Sequence, residues 1–175
     1  LSMHEPLKKP DVLHIATLGC KVNQYESDAI RGDLLRMPSF TTMAESHSVV
    51  IINTCSVTKK AALQSRQLIR RAIRSHPNAV IMATGCLAQT EATALAEIKG
   101  IDYIIGNTHK TKIPDILGNG PVLKTKTPAI ICGDIRNHRV FALSGFPAAE
   151  ARSRPFIKIQ DGCDCFCAYC IVPYT

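Results

Sequence analysis

No stretch of this 175-residue sequence approaches the roughly 18 consecutive apolar residues that a membrane-crossing helix needs, so no membrane partner is expected. The N-terminus, LSMHEPLKKPDVLHIATLGC, has no signal-peptide core, because charged and polar residues interrupt its apolar positions before VLHIATL begins. A cytoplasmic, reducing setting is therefore expected. No G-x-G-x-x-G follows a strand-like run, and the phosphate-binding lysine motif of P-loop proteins is missing, so neither nucleotide fingerprint is present. The six histidines are scattered without metal-ligand spacing, and GNG at Gly118–Gly120 reads only as a turn. There is no solenoid repeat and no low-complexity tract.

What is present is a globular composition, 46% hydrophobic and 20% charged, with a formal charge of +7. That excess of base is compatible with a nucleic-acid partner, because lysine and arginine release counterions from phosphates. The first two thirds alternate strand-like and helix-like runs. VLHIATL, SVVIINT, AVIMAT and IDYII read as strands, the second as a β-branched run of the kind buried on both faces of a parallel sheet. Between them NQYESDAIRGDLLRM, TKKAALQSRQLIRRAIRSH, AQTEATALAEIKG and THKTKIPDILG read as helices. The second of these turns Leu68, Ile69, Ala72 and Ile73 inward and Arg66, Arg70, Arg71 and Arg74 outward. An arginine face of this kind is most simply solvated, with contact to nucleic acid as the sharper reading. The expected fold is α/β, an open parallel sheet with right-handed crossovers and helices on both faces, Rossmann-like or flavodoxin-like. Residues 1–118 form this domain, 119–154 a connector with room for a short strand or hairpin, and 155–175 the start of a second domain whose first strand is PFIKIQ.

Eight cysteines in a reducing setting point to metal or catalytic ligands rather than disulfides. Cys20, Cys55 and Cys86 occupy one place in successive units, IATLGC, IINTC and MATGC, each just past a strand. Loops at the carboxyl ends of parallel strands share an edge, so three sulfurs far apart in sequence can converge there. Gly19 and Gly85 permit the sharp turn, and the following helix N-termini favour thiolate. One such cysteine alone is as well explained by burial; three in equivalent positions favour a shared site, either a four-iron cluster with one iron open or a zinc. Asn23 and Asn53 nearby are placed to donate to cluster sulfur or substrate, or to cap helices. Near the end, GCDCFCAYC holds four cysteines in eight residues. Cys163, Cys167 and Cys170 form a CxxxCxxC array that can hold three corners of a four-iron cube; Cys165 admits other ligand sets, and a zinc knuckle is the alternative. Cys132, in AIICGD, reads as core.

These motifs together resemble a known family. CxxxCxxC after a strand, with AYC and IVPYT, is similar to the radical S-adenosylmethionine enzymes, and the three upstream cysteines narrow this to the methylthiotransferases. TLGCKVNQYESD, VVIINTCSVT, ATGCLAQ and KIQDGCDCFCAYCIVPYT look most like the branch that modifies threonylcarbamoyladenosine in tRNA. The resemblance runs from Val12 to Thr175. It implies that Cys163, Cys167 and Cys170 hold a radical 4Fe-4S cluster whose open iron binds S-adenosylmethionine, and that Cys20, Cys55 and Cys86 hold an auxiliary 4Fe-4S cluster that delivers sulfur. A 5′-deoxyadenosyl radical then takes hydrogen from carbon 2 of the adenine beside the anticodon. The implied partners are the tRNA anticodon loop and an electron donor such as flavodoxin or ferredoxin. Phe166 and Tyr169 would shield the cluster, flank the nucleoside, or simply pack. Cys165 stands where the family has another residue, a spare thiol open to misligation. The family's barrel would continue beyond Thr175, so the chain is expected to be an N-terminal piece that does not turn over alone. The alternatives are the same chemistry on isopentenyladenosine tRNA or a ribosomal protein, and, from another class, a noncatalytic iron-sulfur or zinc module.

Overall fold

Five apolar runs become five strands, β1 (Leu13–Thr17), β2 (Val49–Thr54), β3 (Val80–Gly85), β4 (Tyr103–Ile105) and β5 (Ala129–Ile131). They form one all-parallel sheet in the order β1-β2-β3-β4-β5. The structure, a computed structural model, describes residues 13–38, 40, 48–118, 123–137 and 157–175. The helices are α1 (Lys21–Arg36), α2 (Lys59–Ser75), α3 (Cys86–Thr90), α4 (Ala92–Ala96) and α5 (Ile113–Gly118), the last preceded by a 3-10 helix over Asn107–Lys112.

The sheet is covered on both faces because its central strands are apolar on both. Every residue of β2 and β3 is buried. Val50, Ile52, Ile81, Ala83 and Ile104 pack against Ala62, Ile69 and Ala72 of α2 and against Leu87 and Leu95 of α3 and α4. Leu13, Val49, Ile51, Val80, Met82 and Ile105 pack against Ile30 and Leu34 of α1 and Ile113 and Leu117 of α5. Each of the Val, Leu, Ile and Met side chains among these contributes roughly 1.5–3 kcal/mol on burial. The α/β fold with helices on both faces is as the sequence implies. Uniform right-handed crossovers are not. When strands are added in chain order, crossovers of one hand place every helix on one face; α1 and α5 lie opposite α2, α3 and α4, so both hands occur.

Two local expectations change. The run read as one helix over AQTEATALAEIKG is two, broken at Glu91, where the Thr90 hydroxyl donates back to the Cys86 carbonyl at 3.0 Å and Glu91 pairs with Arg66. β5 is the short strand for which the 119–154 span had room, and it joins the sheet beside β4. Asp102 holds that return in place: its buried carboxylate accepts from the backbone N–H of Ile81 at 2.8 Å and of Thr125 at 2.7 Å. Residues 157–160 of PFIKIQ form no strand, because no neighbouring strand among the described residues supplies a ladder. Pro155, Phe156 and the connector residues 119–122 and 138–154 lie outside the described residues.

Candidate functional site

The turns that leave β1, β2 and β3 bring three cysteines to the carboxyl edge of the sheet. Cys20 is the N-cap of α1, Cys55 directly follows β2, and Cys86 opens α3. Gly19 has φ +104°, and a Cβ there would stand 2.9 Å from the Cys55 sulfur. Gly85 has φ +92°, and a Cβ there would meet Asn53 Oδ1 and the Thr54 carbonyl, both at 2.4 Å. Both positions therefore require glycine, and the requirement brings the Cys20 turn against Cys55. Ser65 of α2, fully buried, fixes Cys55 by accepting from its N–H and donating to its carbonyl, each at 3.0 Å. Cys86 lies close enough to Cys55 and Cys20 to feel both.

The expected thiolate preference fails at Cys86. Burial pushes its thiol up; Lys110 and a hydrogen bond with the Thr175 side chain oppose this, and the neighbouring thiols add to it. Helix α3 is five residues long and has little dipole to set against burial. Cys20 is exposed, Cys55 buried and Cys86 between the two, and all eight cysteines are free thiols.

Under the cysteines runs a polar row, Thr17, Asn53 and Thr84, aligned across β1, β2 and β3. Asn23 and Asn53 neither donate to a cysteine sulfur nor cap a helix. Asn23 Nδ2 donates to the Leu18 and Thr54 carbonyls at 2.8 and 3.0 Å, and Asn53 Nδ2 donates to the Asn23 carbonyl and Ser27 Oγ at 2.9 and 3.0 Å. Together they tie the Cys20 turn to the end of β2. Asn53 Oδ1 and Thr84 Oγ1 are buried without a hydrogen-bond partner in the described structure.

Beside this row lies a group that the sequence does not announce. Glu26 of α1 is buried between Lys110, at 2.5 Å, and Lys158, at 2.9 Å, and Lys158 also reaches Asp161 at 2.7 Å. The alternation I-K-I over 157–159 suggests apolar residues inward; the structure buries Lys158 and leaves Ile157 and Ile159 84% and 88% exposed, because the lysine finds two carboxylates.

The second array is more open. Cys163 and Cys170 are half-buried, while Cys165 and Cys167 are exposed. Cys165 hydrogen-bonds Cys163, which with its charge pushes the Cys165 thiol up, so the spare thiol shares the space of the array. The Cys170 N–H donates to the Cys167 carbonyl at 2.9 Å, closing a turn. Phe166 adopts a left-handed φ of +45° and meets Tyr174 edge-on at 5.8 Å, whereas Tyr169 is 93% exposed. Cys132 packs against the α2 face of the sheet, its thiol donating to the Ala88 carbonyl at 3.5 Å.

Three thiols from three loops are a donor set for either an iron-sulfur cluster or a zinc ion. Among the described residues no group of three or more His, Cys, Asp or Glu side chains stands arranged around a metal position. A basic cleft of about 550 Å³, lined by Arg66, Arg70, Arg74 and Lys99 with Glu97 among them, runs along α2 beyond Ser65. Among the described residues no helix is long and apolar enough to cross a membrane.

Residues 12–106 match the family described as "Uncharacterized protein family UPF0004". The chain is similar to two proteins named threonylcarbamoyladenosine tRNA methylthiotransferase MtaB. It is 36% identical over 163 residues to that of Aquifex aeolicus, covering 91% of this chain and 38% of the relative. With that of Bacillus subtilis it is 38% identical over 161 residues, covering 91% and 35%. It is also 33% identical over 171 residues to the tRNA-2-methylthio-N(6)-dimethylallyladenosine synthase of Baumannia cicadellinicola, covering 93% and 37%. The chain thus spans little more than a third of the length of these relatives.

Proposed function

The chain belongs to the UPF0004 family, and from that premise we propose that it is the sulfur-handling part of a tRNA methylthiotransferase. The reaction adds a methylthio group to carbon 2 of N6-threonylcarbamoyladenosine beside the anticodon. The observation that carries the reading is the convergence of Cys20, Cys55 and Cys86 on one sheet edge, with the Cys163–Cys170 loop anchored beside it. Cys20, Cys55 and Cys86 would hold an auxiliary 4Fe-4S cluster, and Cys163, Cys167 and Cys170 a second whose open iron takes S-adenosylmethionine. Bound there, these groups supply one-electron chemistry, sulfur and the methyl group.

The protein's own part is placement. Gly19 and Gly85 let two loops turn tightly enough for their cysteines to approach Cys55, and Asn23, Asn53 and Ser65 hold those loops rigid. Preorganised ligands lose little freedom when a metal binds, which favours binding at this edge over the unfolded chain. The Thr175 side chain reaches Cys86, so the segment after Cys170 lies against this edge. The +7 charge suits a tRNA partner, and the reaction requires a one-electron donor of the flavodoxin or ferredoxin kind.

The motif GCKVNQYES, with the 36% and 38% identity to relatives named for threonylcarbamoyladenosine, favours that substrate. The 33% identity to a dimethylallyladenosine enzyme supports the second reading. Deleting the gene in its own cells and analysing tRNA nucleosides by mass spectrometry separates them. The methylthio group should vanish from threonylcarbamoyladenosine and persist on the isopentenyl nucleoside. The reverse would transfer the assignment to the second substrate, and no change in either would refute both.

A further inference from the structure

The charged group formed by Glu26, Lys110, Lys158 and Asp161 joins three parts of the chain that are far apart in sequence. Glu26 lies six residues past Cys20 on α1, Lys110 sits in the 3-10 helix after β4, and Asp161 stands two residues before Cys163. Glu26 binds Lys110 with one carboxylate oxygen and Lys158 with the other, at 2.5 and 2.9 Å, and Lys158 completes the chain to Asp161 at 2.7 Å. Two positive and two negative charges balance. The side chains of Glu26, Lys110 and Lys158 are 9%, 8% and 3% exposed, so solvent screens the first two links little.

A buried ion pair of this kind is a poor source of net stability, since desolvating the charges offsets most of their attraction; its best-attested use is to fix register. Here the register is that of one cysteine array against the other. Residues 157–160 have no strand partner among the described residues, and Ile157 and Ile159 face outward, so apolar packing does not locate this segment. Lys158 does. We infer that Glu26 and Lys158 are positioning residues that lock the approach to Cys163 at a set distance from the Cys20, Cys55 and Cys86 edge, so that sulfur held at one array lies within reach of chemistry at the other. This rests on the two-cluster reading above.

The test uses this chain with Lys158→Met, which keeps the aliphatic stem, and Glu26→Gln, which keeps the shape and an acceptor. Native-state proteolysis of the unloaded chain with subtilisin should cut about tenfold faster within residues 157–163 in either variant. The double variant should be no worse than Lys158→Met alone, as expected for two members of one link. Amide protection in β2 and β3 should be unchanged. Unaltered cleavage at 157–163, or an equal loss of protection across the whole sheet, would overturn the inference. After iron loading, the magnetic coupling between the two reduced clusters should weaken in Lys158→Met at unchanged iron content, a readout that a purely structural role would leave in place; unchanged coupling would also overturn it. A wild-type chain that takes up no iron would refute the two-cluster function instead, and the cleavage comparison would still decide whether Glu26 and Lys158 fix the segment.

Discussion

At the scale of single residues, Gly85 carries a sharp stability prediction. Its φ of +92° and ψ of −169° lie where only glycine is comfortable, at a cost of about 1–3 kcal/mol for another residue, before any clash is counted. Its neighbours are β2 backbone and the Asn53 amide, which cannot give way easily. Gly85→Ala should therefore lose about 3 kcal/mol or more in urea unfolding, and an unchanged midpoint would contradict the geometry. Glu26 and Lys158 predict a pH signature. Burial alone would raise the Glu26 carboxyl, but Lys110 and Lys158 together hold it below its ordinary value of 4.5. Burial would lower Lys158, but Glu26 and Asp161 hold it above 10.5. The depressed carboxylate adds stability that is present above 4.5 and lost as pH falls through its folded value; the raised lysine adds stability present below 10.5 and lost as pH rises through its own. The stability gap between wild type and Lys158→Met should thus be widest between those limits and narrow beyond either. A gap independent of pH would count against the ion pairs.

At the scale of elements, α2 separates core from surface. Ile69 is fully buried, and Ile69→Ala should cost roughly 2–5 kcal/mol. Replacing the exposed Arg70, Arg71 and Arg74 with glutamine should change stability by no more than about 0.5 kcal/mol. It should also leave the salt slope of tRNA binding as it was; a shallower slope would place phosphate contacts in the basic cleft. The sequence was readable where an element is defined by its own side chains. β2 and β3 are apolar along their length, and α2 has a clean inward stripe ended near Pro77. It was unreadable where partners far along the chain decide. β5 is three residues long and is a strand only because β4 lies beside it. The helix after β3 breaks at Glu91 through local hydrogen bonds and a distant arginine. PFIKIQ has strand composition without a strand to join.

At the scale of the whole molecule, the convergence of Cys20, Cys55 and Cys86 was legible because parallel βα units repeat their geometry, so equivalent positions in sequence become neighbours in space. The layer that supports them was not. Asn23 and Asn53 staple loops instead of facing sulfur, and nothing in I-K-I announces a buried lysine. The account stands on two arrays that bind two separate clusters, and the most direct test is iron, acid-labile sulfide and zinc per chain after anaerobic reconstitution. Wild type should hold about eight irons and as many sulfides, and the Cys20→Ala, Cys55→Ala, Cys86→Ala triple variant about four. Iron unaffected by the triple change, or zinc in its place, would contradict a sulfur-donating cluster at the sheet edge.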